Sequence, residues 1–318
     1  LGDNCITYMA VAAEACALFW VWAGGSLADT LGKLLRSRKN KGQYKNAARM
    51  RNVAFIFHSL LGLLGSLILL ILAEEIAEGI FQVRYSAYIL RFMAPVVLLR
   101  TVSAALLGCF QGEGSELPAA AAGVLRQALI LIFGLLFSGL MKDYGEKVSG
   151  LLREENFTAM YGGMGVALAV VAAEGVTALG LFLLFRVSRR SEARAKQDGL
   201  YTADSFGDCV ASLCTNRWQR ALLGFLGVLP LAAGAVIYIK GADSETQAAY
   251  EYGIYAGRYL VACGIAVLLV SVFTLPAAAK VFASLRKEET RYARFVFQSG
   301  MHVCLAYSVF ASAFLIGM

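Results

Sequence analysis

Eight stretches of about twenty apolar residues divide this chain, and their length alone restricts what it can fold into. They cover Cys5–Ala28, Val53–Ala73, Ser86–Leu107, Pro118–Met141, Tyr161–Phe185, Trp218–Ile239, Tyr252–Leu275 and Phe295–Met318. A hydrocarbon core about 30 Å thick is crossed by about 20 residues of α-helix. Backbone in that layer must satisfy its own hydrogen bonds, which a helix does within one segment. The runs therefore predict an all-α, polytopic membrane helical bundle with eight transmembrane helices. Composition excludes the soluble alternative. Only 16% of the 318 residues are charged and 58% are hydrophobic, whereas soluble domains carry roughly 25% charged residues.

The loops between the runs alternate in charge. Asp29–Asn52 carries Lys33, Arg36, Arg38, Lys39, Lys41, Lys45, Arg49 and Arg51, and Arg186–Arg220 and Pro276–Arg294 are similarly basic. The intervening loops are acidic, with Glu74, Glu75, Glu78, Glu154 and Glu155. A net charge of +7 in a soluble protein would suggest nucleic acid. Here the basic residues gather in particular loops, so the excess reports topology and no nucleic-acid partner is expected. The positive-inside rule places the three basic loops in the cytoplasm, together with the short Gly108–Leu117 hairpin. Both ends of this chain then lie outside a cell (plasma) membrane. Because it starts at Leu1 and stops at Met318 within an apolar run, it is expected to be a piece of a longer protein, lacking at least one helix before and several after. The cysteines form no CxxC pair, so neither a disulfide framework nor a metal site is expected.

Phe206, Val210 and Leu213 fall at helical spacing beside Trp218 and predict an interfacial helix, with a solvated linker as the alternative. A weak internal repeat pairs Lys33–Ser59 with Lys280–Ser308. Each runs from a leading Lys through a basic, Tyr-containing loop into a helix with an early histidine, His58 or His302. Six helices separate the two, so repeated lobes would share one orientation, related by an axis along the membrane normal.

A helix with LRFMAP (Leu90–Pro95), then LLGCFQG (Leu106–Gly112), then a Pro-started helix with VLRQ (Val124–Gln127) resembles the polysaccharide-biosynthesis and sporulation-type flippases. These belong to the multidrug/oligosaccharidyl-lipid/polysaccharide exporter superfamily. The first basic loop, LLRSRKNKGQYKNA, and YGGMGVALAVVAAEG (Tyr161–Gly175) fit the same pattern. The resemblance implies a fragment of a two-lobe, MATE-like transporter that begins at the second family helix. Residues 1–190 would be part of the N-terminal lobe, 191–217 a cytoplasmic linker able to hold an interfacial helix, and 218–318 part of the C-terminal lobe. It further implies a non-enzymatic, monomeric transporter without a cofactor, flipping lipid-linked oligosaccharide by alternating access with Na+ or H+ as a coupling ion. A cation-coupled drug exporter of the same fold is the nearest alternative. A membrane-embedded glycolipid-processing enzyme is a further one, disfavoured by the absence of a carboxylate cluster or of a nucleophile with a base beside it. A non-transporting scaffold is the last.

A flippase needs a hydrated path for a polar head group, and intramembrane charge, at about 2.5–3.5 kcal/mol per group, usually faces one. Glu14 lies mid-helix, about 14 Å from either end, too deep to snorkel. It is read as an ion or proton site or an arginine partner, against a static hydrogen-bonded acid. Arg91 shares a stripe with Arg84, Tyr88 and Pro95, and Pro95 is expected to act as a hinge. Arg258, among Tyr252, Tyr255 and Tyr259, offers forked donors and ring faces suited to phosphate and sugar, with structural pairing as the alternative. Arg100, Arg126 and Glu174 are secondary candidates. The two arginines sit near helix ends where snorkelling costs little, and Glu174 is read as a family feature or a bridge between helices. In the lipid II flippases of the wider group, arginines line the cavity from the first, second and eighth helices. Here the second carries Glu14 and the eighth Arg258, so the resemblance implies another lipid-linked oligosaccharide or another amphiphile.

Overall fold

The structure is a computed structural model and describes residues 3–154, 156–192, 204–241, 245–263, 277, 280–281, 284–285 and 288–317. Every regular element among them is helical. In chain order these are α1 (Asp3–Ala23), α2 (Leu27–Asn40), α3 (Tyr44–Ile71), a π-helical turn Glu75–Ile80, α4 (Ser86–Met93), α5 (Pro95–Gly112), α6 (Leu117–Leu152), α7 (Asn156–Glu192), α8 (Phe206–Lys240), α9 (Glu245–Ile254), a second π-helical turn Tyr255–Tyr259 and α10 (Thr290–Gly317). Counting α1–α2 and α4–α5 as one span each, seven helical spans among the described residues are long and apolar enough to cross a bilayer. The chain is thus an all-α polytopic membrane bundle. The remaining expected span, Tyr252–Leu275, is helical as far as Cys263, and its second half lies outside the described residues.

Packing divides the chain into two compact units, Leu1–Gly253 and Ile254–Met318. In the first, α5 is the most enclosed helix and packs on α2, α3 and α7. Small residues permit this. A Cβ on Gly108 would stand 2.9 Å from the Leu31 Cβ, and one on Gly112 would stand 2.7 Å from the Leu35 Cβ. Close approach of backbones is how apolar helices gain attraction in lipid, where no hydrophobic term separates helix from acyl chain. The long hairpin of α6 and α7 packs mainly on itself. On α6 only Ala122 and Gly145 are buried, so its leucines are left for the bilayer.

Charged segments sort to opposite ends of this unit. At one end the Arg36 Nη2 donates to the Gln111 carbonyl at 2.9 Å, Arg38 pairs with Asp204 at 2.8 Å, and the Asp204 amide donates to the Asn46 Oδ1. The basic segments before α3 and before α8 therefore share an end with the Gly112 hairpin. At the other end Arg91 pairs with Glu74, Arg84 with Glu78, and the Tyr85 hydroxyl donates to Glu154. Burial first, then the Glu154 carboxylate, push the Tyr85 phenol up, which keeps it a donor.

Two expected loops are largely helix. Most of Asp29–Asn52 belongs to α2 and α3, because Leu27, Leu31 and Leu35 recur every fourth residue and bury one face of α2 while Lys33 and Arg36 stay exposed. The expected interfacial helix in the linker is instead the first turns of α8. There a capping box closes, in which the Ser205 Oγ accepts from the Asp208 amide and Asp208 accepts from the Ser205 amide. Leu213 is fully buried in a cluster with residues of α2, α3 and α5, whereas Phe206 and Trp218 remain exposed as interfacial residues would. The histidines of the internal repeat differ. His58 is buried, with its Nδ1 3.0 Å from the Ala54 carbonyl, whereas His302 is exposed.

Candidate substrate cavity

Three ionisable side chains from three helices converge inside the first unit. Glu174 of α7 is completely buried. The Arg100 Nε, from α5, donates to its Oε1 at 2.6 Å, and the Arg126 Nε, from α6, donates to its Oε2 at 2.9 Å. Each carboxylate oxygen thus serves a different guanidinium. A lone carboxylate at this depth would carry a desolvation cost of several kcal/mol, and the two charge-assisted bonds offset it. The Arg100 guanidinium also lies over the Trp20 ring, 5.9 Å from its centroid.

These arginines face a cavity of about 400 Å³. Its wall is built by Trp20, by the Gly24–Ser26 break between α1 and α2, and by Asp29, Ser103, Leu107 and Gln127. Glu174 does not line the space and holds the guanidiniums from behind. Trp20 and Ser103 line this space, and the buried Trp20 Nε1 and Ser103 Oγ have no partner among the described residues. A smaller cavity of about 150 Å³, lined by Asp29, Gly32, Lys33, Arg36, Gln111 and Glu116, adjoins it through Asp29. Polar space therefore continues along α2 toward the basic end.

The side chains ranked first from the sequence lie elsewhere. Glu14 is half-buried on α1. Its Oε1 accepts from the Tyr252 hydroxyl at 2.7 Å, and its buried Oε2 has no partner among the described residues. Tyr252, read with the Arg258 group, belongs to the first unit and is buried against Glu14. Arg91 sits at the acidic end, paired with Glu74 at 2.8 Å, and Tyr88 is exposed. None of Glu14, Tyr88 and Arg91 lines the arginine cavity. Arg258, Tyr255 and Tyr259 occupy the second unit, exposed on a π-helical turn, with the two tyrosine rings stacked at 6.4 Å. Such turns recur at functional sites. Pro95 opens α5 and interrupts the helix at Ala94. The Val97 amide bonds to the Ala94 carbonyl, and the Cys16 thiol approaches the Met93 carbonyl at 3.8 Å.

Arg100 and Arg126, expected to reach the interface separately, turn inward together because one buried carboxylate satisfies both. Trp20 and Ser103 carry no sequence signal, since each is an ordinary residue of an apolar helix. With both partners exposed, the Arg91–Glu74 pair is expected to contribute little. Arg91→Ala should change the unfolding free energy by less than about 1 kcal/mol in a thermal melt. A larger loss would mean that Arg91 has a buried partner in the assembled protein.

Compared with protein-family models, curated proteins and solved structures, the chain matches none.

Proposed function

We propose that this chain is the transport core of a membrane transporter that moves lipid-linked oligosaccharide or polysaccharide precursors across a cell membrane by alternating access. The observation that carries this reading is the Arg100–Glu174–Arg126 cluster beside a cavity of about 400 Å³ within membrane-spanning helices. Buried charge that opens on polar space suits a hydrated passage for an anionic head group, while the tail stays in lipid. The resemblance of LLGCFQG and its neighbours to polysaccharide flippases points the same way. So does the gathering of basic segments at the end where the cavity continues along α2, an end the positive-inside rule assigns to the cytoplasm. In this reading substrate enters from that end, residues 1–190 and 218–318 belong to separate lobes, and the Glu14–Tyr252 pair takes the coupling Na+ or H+.

Flux in proteoliposomes tests the reading. Arg126→Gln should slow transfer of a polyprenyl-linked saccharide by about 10- to 100-fold, the cost of one lost charge-assisted hydrogen bond. Glu14→Gln should abolish the response to an imposed pH or Na+ gradient. Efflux of a fluorescent cationic drug by the native protein, with no transfer of the saccharide, would replace this function with drug export. Undiminished flux in both variants would remove the cavity and Glu14 from the mechanism.

A further inference from the structure

The charge balance of the cavity narrows its ligand. Glu174 neutralises one of the two guanidiniums that share it, leaving a single positive charge facing the cavity. The neighbouring space, with Lys33 and Arg36 against Asp29 and Glu116, carries no net charge. Asp29 lines both spaces and counts once, so across the two, four cations stand against three carboxylates and one positive charge is left over. The other polar side chains of the wall, Trp20, Ser26, Ser103 and Gln127, are neutral and can each donate a hydrogen bond. Both arginines spend Nε on Glu174, which leaves their terminal nitrogens for a ligand. Ser103 is only 1% exposed, and its hydroxyl, like the Trp20 Nε1, has no acceptor among the described residues. A buried donor left unpaired is costly, so a small shift of these wall residues toward an acceptor in the cavity is favoured.

From this we infer that the cavity binds a phosphodiester monoanion, the linkage of a single phosphate between a sugar and a lipid, and discriminates against pyrophosphate. One negative charge matches one uncompensated cation. The phosphate's free oxygens take the arginine nitrogens, and its ester oxygens or a sugar hydroxyl take Trp20 and Ser103. A pyrophosphate brings at least one charge with nothing to balance it, in a setting where an unpaired charge is expensive. The inference rests on the transport reading for the cargo's origin alone, because binding is measured without transport.

The test uses Trp20 as reporter. The chain has three tryptophans, so Trp22→Phe with Trp218→Phe leaves Trp20 alone. In maltoside micelles this protein is titrated with octyl glucosyl phosphate, dioctanoyl phosphatidylglycerol and geranyl pyrophosphate, following Trp20 emission. The expected result is saturable binding of at least one diester, tenfold or more tighter than the pyrophosphate. A tighter glucosyl diester identifies a glycosylated carrier as the source, and a tighter phosphatidylglycerol identifies a bilayer phospholipid. Ser103→Ala should weaken the diester severalfold, and Arg126→Gln, which leaves Arg100 and Glu174 as a neutral pair, should weaken it about 10- to 100-fold. Glu174→Gln, which frees a second cation, should reverse the preference toward pyrophosphate. Equal or tighter pyrophosphate binding by the parent protein, or diester binding unchanged in Arg126→Gln, overturns the inference. Loss of flux with diester binding intact would count against transport and leave this site standing.

Discussion

Replacing Glu174 with leucine is expected to lower the unfolding free energy of the solubilised protein by about 3–5 kcal/mol, the largest effect of any single substitution considered for this chain. The carboxylate is fully buried and joins α7 to Arg100 of α5 and Arg126 of α6. Without it, two guanidiniums face each other with no counter-charge. The loss also falls on the helix least able to absorb it. α6 buries only Ala122 and Gly145 and packs chiefly on α7, so the bond from Arg126 joins α6 to α7 while the bond from Arg100 ties that hairpin to α5. Thermal unfolding of Glu174→Leu measures the loss. The triple variant Arg100→Met/Glu174→Leu/Arg126→Met separates unpaired charge from lost packing, because removing all three charges together should restore most of the stability. Equal melting of native and Glu174→Leu proteins would show that the cluster holds nothing together.

The second large effect is steric. Gly108→Leu should destabilise the protein by about 1–3 kcal/mol, the usual cost of overpacking. Its Cβ alone would stand 2.9 Å from the Leu31 Cβ and 3.0 Å from the Ala28 carbonyl oxygen, before the rest of the side chain is placed. Leu31 and Leu35 are closely packed on α5, so α2 must move away as a unit, breaking the contact between Arg36 and Gln111. Maleimide labelling resolved by peptide mapping reads this directly. Cys109 is 3% exposed in the native fold and should become reactive. Gly123→Ala is the control, since no neighbouring atom lies within 4 Å of its added Cβ and its stability should hold or rise slightly. Protection of Cys109 in Gly108→Leu would mean that α2 yields locally and that the α2–α5 seam is not rigid.

Much of the architecture was legible. Seven of the apolar runs coincide with described helices long and apolar enough to cross a membrane, because a bilayer leaves the backbone no other partner than itself. Helix limits were less legible where charge disguised them. Lys33, Arg36, Arg38 and Lys39 made Asp29–Asn52 look like a loop, yet the fourfold spacing of Leu27, Leu31 and Leu35 carried an amphipathic helix. The sequence SFGD at Ser205–Asp208 held a capping signal for α8 that an assumed linker obscured.

Which charges meet was not legible. Arg100, Arg126 and Glu174 lie on three helices, and whether each faces lipid, a neighbour or a cavity depends on how its helix is rotated. Rotation is set by the close seams of the bundle, such as Gly108 against Leu31 and Gly112 against Leu35, and an apolar run looks the same from every side. The sequence alone determined that the chain is a membrane bundle with basic and acidic segments in alternation, because hydrogen-bond satisfaction in lipid and the cost of burying charge act on each segment independently. Only the tertiary structure decided that Glu174 gathers Arg100 and Arg126 beside Trp20 and Ser103, because that depends on packing between helices distant in the chain.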